Sequence, residues 1–477
     1  MFRPEYKYKI KFQVENIFAF GYIFTNSIRL HGENINFIMS GIFKAYDIRG
    51  IVGKDLTEDI AFKIGRAFAT CLGCRKVVVG RDMRAHSDML FNALVRGLTM
   101  QGADVIALGL CSTPMSYFAN GRLGADAGIM ITASHNPAEW NGFKLCRAQA
   151  VPISGLTGIA DIEKIVRSEK FNPPAQTAGK TSEYNALPDY TVHVQKHAHL
   201  QKRIKIAADF ANAMGSVEAQ TLAGIMDIDP LYADLDGSLP NHEANPLKTE
   251  TLDALRQKVR SGKYDFGAAF DGDADRVGFV DEKGDIVPMD IITALIARSV
   301  LKDEKGTILY DLRSSWTVKE VIEENGGTPQ MCRVGHAFIK QQMRAAKATF
   351  AGELSGHYYF RDNYYTESSA MAVLFVAGLL SQTEKPLSAL VAPLKRYFKS
   401  PEINSEVKDA AVVFDRLRKT YAGGKMFDLD GLSVEFNDWW FNVRASNTEP
   451  LVRLNLEAKS QELLNQKQED LLKLIRS

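Results

Sequence analysis

Short apolar runs recur along the chain, each breaking off at an aspartate or a cluster of small residues and each leading into a stretch with apolar residues at helical spacing. The capping signal Asp55-Leu56-Thr57-Glu58 predicts a helix through about Leu72. Val77-Val78-Val79-Gly80-Arg81-Asp82 predicts a strand, residues 87–101 a second helix, and residues 104–108 another strand. Such alternation predicts an α/β layer with mainly parallel pairing. Ile204-Lys205-Ile206-Ala207-Ala208-Asp209 and Thr307-Ile308-Leu309-Tyr310-Asp311 repeat the strand that ends in an aspartate, which suggests three related α/β units. The Pro- and Ser-containing stretch Phe171 to Pro188 reads as the first boundary. From about Ser400 the pattern changes to a helix, Ala410 to Tyr421, and hairpin-like strands Leu432 to Phe436 and Trp440 to Val443. The expected fold is therefore three similar mixed-sheet α/β domains, 39–185, 186–288 and 289–398, followed by a smaller α+β domain, 399–477.

At 477 residues the chain is long enough for several domains, and its net charge of +1 gives no reason to expect a nucleic-acid groove or an anionic membrane surface. No apolar stretch is long enough for a membrane span. The five cysteines are few and odd in number, as in a reducing cytosol, so a cytoplasmic location is expected. Cys71 and Cys74 form a C-x-x-C, but it closes a helical pattern rather than opening one as a redox motif does. Residues 1–38 carry Lys7, Lys9 and Lys11 before a short apolar run and lack a small-residue cleavage site. They read as a non-catalytic extension, with Met39-Ser40-Gly41 as the start of the folded protein.

Four stretches carry chemistry. Gly128-Ile129-Met130-Ile131 reads as a buried strand delivering Ser134 to the loop Thr132-Ala133-Ser134-His135-Asn136-Pro137, where Asn136-Pro137 halts it. Taken alone, this is equally a strand-end turn with a hydroxyl cap. Asp271-Gly272-Asp273-Ala274-Asp275-Arg276 sets three carboxylates at a period of two, hence on one side of an extended loop, where oxygen-only ligands select a hard ion such as Mg²⁺. The alternatives are a solvated charged turn and a calcium-binding helix–loop–helix, the latter at odds with Arg276 where that loop needs glycine and with flanks that read as strands. Gly352-Glu353-Leu354-Ser355-Gly356-His357 suits adjacent sugar hydroxyls, since a carboxylate accepts two hydrogen bonds and the glycines permit close approach. Arg444-Ala445-Ser446-Asn447-Thr448-Glu449-Pro450, with Arg453, gathers the forked and hydroxyl donors of a phosphate cradle. Asn141-Gly142-Phe143-Lys144 returns a lysine toward the serine loop, and Arg333-Val334-Gly335-His336 adds an imidazole that either moves a proton or is merely capped. His193, His197 and His199 lack the glutamate of a metalloprotease and read as structural.

In that order, the serine, the three-aspartate loop, the hydroxyl-reading loop and the phosphate loop resemble one family, the α-D-phosphohexomutases, from about Gly41 to the C-terminus. The Gly-Glu-Leu-Ser-Gly-His form looks like its phosphomannomutase/phosphoglucomutase branch. The resemblance implies four domains around a central active-site cleft, with Ser134 as the phosphorylated serine and Ser134, Asp271, Asp273 and Asp275 as the Mg²⁺ ligands. It also implies substrate contacts from Tyr46, Arg313, Glu353, Ser355, His357, Arg444, Ser446, Asn447, Thr448 and Arg453. Arg49, His135, Lys144, Arg276 and His336 would hold supporting catalytic roles.

By the same resemblance the substrates are hexose phosphates, mannose or glucose, and the activator is a hexose 1,6-bisphosphate. Two positions depart from the family pattern. The turn Asp209-Phe210-Ala211-Asn212-Ala213-Met214-Gly215 lacks the usual glycine-rich form, and Arg313 stands where some relatives carry lysine. The alternatives are a phosphoglucosamine mutase, a metal-dependent sugar phosphatase that releases the serine ester to water, and a non-enzymatic sugar-phosphate sensor.

Overall fold

Thr57 accepts a 3.3 Å hydrogen bond from the Ile60 N–H, and so opens the helix Glu58–Leu72 as the capping signal predicts; Gly73, at φ 60°, closes it. Its buried face packs on the helix Ser87–Met100, and the two backbones touch at a pair of glycines. A Cβ on Gly65 would lie 2.3 Å from the Leu94 carbonyl oxygen, and one on Gly97 would lie 2.2 Å from that of Phe62. The computed structural model describes residues 27–30, 33–36, 41–445 and 451–477. The chain divides into two units, Met1–Ile38 and Met39–Ser477. In the first, Ser27–Leu30 and Glu33–Asn36 pair as an antiparallel hairpin.

The second unit contains three sheets built on one plan. In the first, the central strand Lys76–Arg81 is flanked by parallel strands Asp104–Leu110 and Ala127–Ile131. Ala127–Ile131 then pairs antiparallel with Trp140–Arg147. The second repeats this with Lys205–Asp209 between Asp227–Leu231 and Phe266–Phe270, then antiparallel Val277–Asp281. The third uses Thr307–Asp311 between Thr328–Cys332 and Phe350–Gly352, then antiparallel Tyr358–Phe360. The sheets are thus mixed, as expected, with parallel pairing around the central strand and an antiparallel return where each third strand continues through a hairpin rather than a crossover helix.

The stretch Phe171 to Pro188, read as a boundary, also supplies a short strand, Thr181–Glu183, at the edge of the first sheet. Its side chains are all exposed, so no alternation marks it. The strand before Ser134 ends at Ile131, ahead of Asn136-Pro137, because the Thr132 hydroxyl takes the Ser134 N–H at 2.9 Å and turns the chain early.

The helices Met289–Asp303 and Ser369–Ser381 carry apolar residues on nearly every face and are buried accordingly. They join a continuous apolar core that includes Met130, Phe270, Phe279, Ile308 and Phe350 from all three sheets. The C-terminal region is a separate antiparallel sheet, including Leu432–Glu435, Trp439–Ala445 and Leu451–Ala458, packed on the helices Ala410–Thr420 and Gln461–Arg476 around its own core.

Candidate active site

The shared plan has a chemical consequence. The hairpin from the third to the fourth strand of each sheet is residues 132–139 in the first, 271–276 in the second and 353–357 in the third. These are the serine loop, the three-aspartate loop and the hydroxyl-reading loop. They meet: Ser134 Oγ donates to Asp271 Oδ2 at 2.7 Å, and the Val277 N–H donates to the Gly356 carbonyl at 3.1 Å. Gly272 is required where the first two loops touch, because a Cβ there would lie 2.2 Å from the Ser134 carbonyl oxygen.

Ser134 is buried and sits at φ 51°, a left-handed conformation that is uncommon for a residue with a side chain. His135 Nδ1 lies 3.2 Å from Ser134 Oγ. Burial, reinforced by the Arg276 and Arg49 charges, holds His135 well below the usual histidine range, so its ring is neutral. Arg49 donates to Asp47 at 2.7 Å, to Asn136 Oδ1 at 2.5 Å and to the Ala133 carbonyl at 3.2 Å, steadying the same loop from the strand Ile48–Ile51.

Asp271, Asp273 and Asp275 bring carboxylate oxygens within 4.8 Å of one another, all buried. Burial and the two neighbouring carboxylates push Asp271 well above the carboxylate range. Burial acts the same way on Asp275, but Lys144 and His357 overcome it and hold Asp275 well below that range. Lys144 lies 2.5 Å from both Asp273 Oδ2 and Asp275 Oδ2. Read from sequence as a lysine returning toward the serine, it goes instead to the aspartates, and their charges raise its pKa despite burial. Thr113 adds a 2.6 Å hydrogen bond to Asp273 Oδ2, whereas Asp273 Oδ1 is buried with no hydrogen-bond partner among the described residues. An all-oxygen donor set with an orphaned buried oxygen fits a hard divalent cation. Asp275 also groups with His357 and Glu367; burial works against the charged imidazole, but Asp275 outweighs it and raises His357 to about 9.

In the third loop, His357 Nδ1 lies 3.0 Å from Glu353 Oε2 and 2.8 Å from Ser355 Oγ, and Tyr359 OH donates to Glu353 at 2.8 Å. His357 Nε2 is 3.3 Å from Asp275 Oδ1, and Arg276 Nε lies 3.1 Å from the same ring nitrogen. His336 opens the helix His336–Ala346, with its ring 6.3 Å from that of His357 and 5.7 Å from that of Tyr46. Burial, with the Lys340 and Lys144 charges, keeps His336 neutral.

The phosphate-cradle arginines converge on a residue that sequence reasoning missed. Glu402 accepts from Arg444 at 3.1 Å, Arg453 at 3.4 Å and Asn455 at 3.1 Å, and Arg313 stands 3.6 Å away. Arg313 also reaches to 3.6 Å from Glu353, which ties the cradle to the hydroxyl-reading loop. Ser446, Asn447 and Thr448 lie outside the described residues. Also missed were Arg84, Asn136 and Thr113, whose partners are main-chain carbonyls or distant side chains and leave no local signature.

Residues 40–173, 188–284 and 288–397 match the models described as phosphoglucomutase/phosphomannomutase alpha/beta/alpha domains I, II and III, and residues 402–474 match the C-terminal domain of that family. The chain is 39% identical to a phosphomannomutase of Escherichia coli over 451 residues, covering 91% of this chain and 99% of the relative. It is 38% identical to a phosphomannomutase of Methanocaldococcus jannaschii, covering 91% and 97%. Among solved structures, a phosphoglucomutase/phosphomannomutase family protein from Burkholderia thailandensis superposes with a TM-score of 0.84 at 33% identity, covering 91% of this chain and 96% of that one.

Proposed function

The chain belongs to the phosphoglucomutase/phosphomannomutase family across all four of its domains, and from that premise we propose that it interconverts hexose 1-phosphate and 6-phosphate, of mannose or glucose, through a phosphoserine at Ser134. The observation that carries the reading is the 2.7 Å contact between Ser134 and Asp271, made where three equivalent hairpins meet.

A serine hydroxyl is a weak nucleophile, but a phosphoserine is a phosphoryl donor, and catalysis then rests on positioning and charge neutralisation. In the forward step the bond between Ser134 Oγ and phosphorus breaks as a sugar hydroxyl oxygen bonds to phosphorus, giving a hexose 1,6-bisphosphate. The hydroxyl proton passes by way of a neutral imidazole, His135 or His336, to the departing Ser134 Oγ, which His135 Nδ1 approaches to 3.2 Å, so a free serine hydroxyl is regenerated. Lys144, held charged by two aspartates, serves as a fixed cation and not as a base. Asp271, Asp273 and Asp275 would hold Mg²⁺, whose charge neutralises the phosphoryl oxygens when bound, and Arg276 beside them adds a second positive charge. Glu353, Ser355 and His357 read sugar hydroxyls. Arg313, Arg444 and Arg453, together with Ser446, Asn447 and Thr448, grip the phosphate that is not reacting. The bisphosphate turns over in the site before its other phosphate returns to Ser134, and it is also the activator that primes the serine.

Mannose and glucose differ only at C2, so a loop that reads neighbouring hydroxyls accepts both. We further propose a cytoplasmic setting, in keeping with five unpaired cysteines and no helix among the described residues long and apolar enough to cross a membrane. The test is product analysis by phosphorus NMR. With glucose 1-phosphate and a trace of glucose 1,6-bisphosphate the reading expects glucose 6-phosphate, while inorganic phosphate as the product establishes a hydrolase instead.

A further inference from the structure

Two sheets end their central strand in the same three-residue pattern, Asp82-Met83-Arg84 in the first and Asp311-Leu312-Arg313 in the third. Both aspartates cap the turn that follows: Asp82 Oδ1 accepts the Arg84 N–H at 3.0 Å and Asp311 Oδ1 the Arg313 N–H at 2.7 Å. The second sheet keeps the cap, with the Ala211 N–H 3.0 Å from Asp209 Oδ1, but has no arginine; His242 stands 3.1 Å from that aspartate instead. The two guanidiniums diverge in use. Arg313 turns toward Glu353 and Glu402, carboxylates of the substrate machinery. Arg84 is 2% exposed and turns instead to the main chain of the serine hairpin.

All of Arg84's hydrogen bonds from the guanidinium go to main-chain oxygens of the serine hairpin. Its Nη2 donates to the carbonyls of Ser134 at 2.8 Å and Asn136 at 2.6 Å, and its Nη1 to those of Pro137 at 2.7 Å and Trp140 at 2.9 Å. The Pro137 carbonyl also accepts the Trp140 N–H at 3.0 Å, but four carbonyl dipoles converging on one buried point repel one another, and Arg84 supplies the positive, multiply donating group that holds them together. Only a guanidinium offers enough N–H groups in a rigid plane; an ammonium is a point charge with three donors. Asp82 stands 3.3 Å from Arg84 Nε and is anchored by the Ser87 hydroxyl at 2.7 Å, so the fork is held from behind. The bonded carbonyls run from residue 134 to residue 140, spanning the loop in which Ser134 keeps its left-handed backbone.

We propose that Arg84 is the positioning residue for the phosphorylated serine: it fixes the backbone that aims Ser134 Oγ at the aspartate loop without meeting substrate. The inference rests on the reading of Ser134 as the phosphoryl carrier. A displacement of about 1 Å at a reacting atom costs roughly a hundredfold in rate, so the effect belongs in the transfer step and not in substrate binding.

The test uses the full-length protein, phosphorylated with radiolabelled glucose 1,6-bisphosphate and mixed with glucose 1-phosphate in a single turnover. For Arg84→Lys, which keeps the charge and loses the fork, the transfer rate is expected to fall about a hundredfold while calorimetric affinity for glucose 1-phosphate stays within about twofold. Transfer by Arg84→Lys at the wild-type rate overturns the proposal, as does a loss confined to affinity. If Arg84→Lys does not fold, Asp82→Asn, which leaves the guanidinium but withdraws its anchor, is expected to slow transfer about tenfold at unchanged affinity; wild-type transfer there overturns it equally. Wild-type protein that takes no label at Ser134 defeats the phosphoserine reading, whereas labelled wild type with an unaffected variant defeats the Arg84 inference alone.

Discussion

Glu402 accepts a 3.1 Å hydrogen bond from Arg444 and lies among the cradle guanidiniums with its carboxyl held at about 2: burial pushes the group up, but the Arg444 and Arg313 charges outweigh it. Arg313, Arg444 and Arg453 are therefore gathered around an internal anion. Replacing Arg444 by alanine removes one charged donor and leaves Glu402 with its other partners. Affinity for glucose 1-phosphate and glucose 6-phosphate is expected to fall about 10- to 100-fold, the worth of one hydrogen bond to a charged group. Calorimetry showing native affinity for both would remove Arg444 from the cradle.

Three buried carboxylates, two of them paired with Lys144, form an all-oxygen cluster able to hold a metal. Turnover is expected to disappear in excess chelator and to return with Mg²⁺, with Ca²⁺ restoring far less because its longer, looser coordination suits the site poorly. Asp273→Asn should lose most turnover at any Mg²⁺ concentration tested. Undiminished activity after exhaustive chelation would contradict the role given to this loop.

A pH effect on stability arises away from the reacting groups. Glu218 is fully buried; it accepts the Ser112 hydroxyl at 2.5 Å and the Tyr190 hydroxyl at 2.8 Å, and Tyr190 in turn meets Ser368 at 3.0 Å. Burial raises its pKa to about 7, only partly opposed by these hydrogen bonds. The folded protein keeps this proton after the unfolded chain has lost it, so stability is full below the unfolded pKa and declines as pH rises toward 7, by on the order of 3 kcal/mol. Glu218→Gln removes the titration, so its denaturation midpoint relative to wild type should climb from pH 5 to pH 8. A parallel pair of pH profiles would show that Glu218 does not hold this proton.

Residues Met1–Ile38 form a unit of their own, and the matched domains begin at residue 40. A protein comprising residues 39–477 is expected to fold and to turn over glucose 1-phosphate at the full-length rate. A folded truncation without turnover, checked by circular dichroism beside the coupled assay, would give the N-terminal segment a catalytic role.

Much of this was legible in the sequence where local chemistry is dense. Thr57 announces its helix, the aspartates at 271, 273 and 275 announce an all-oxygen cluster, and the aspartate-ended strands announce the repeat. Residues that work through the main chain were not legible. The Arg84 guanidinium hydrogen-bonds only carbonyls, so nothing but the recurrence of Asp-x-Arg at residues 311–313 hints at it. Glu402 sits just before a short strand at the domain junction, and its partners Arg444 and Arg453 are remote in sequence. In the turn after Asp209, Ala211 and Asn212 take φ 48° and 58°, so two residues with side chains adopt the conformation that the glycine-rich form supplies without strain.

The central claim is that a phosphoryl group travels by way of Ser134. The most direct test is to label the protein with phosphorus-32 from glucose 1,6-bisphosphate, map the label by peptide mass, and chase with unlabelled glucose 1-phosphate. The account predicts label on the peptide containing Ser134, none in Ser134→Ala, and its appearance in sugar phosphate during the chase. Label that never reaches Ser134, or that leaves it only as inorganic phosphate, would contradict the account.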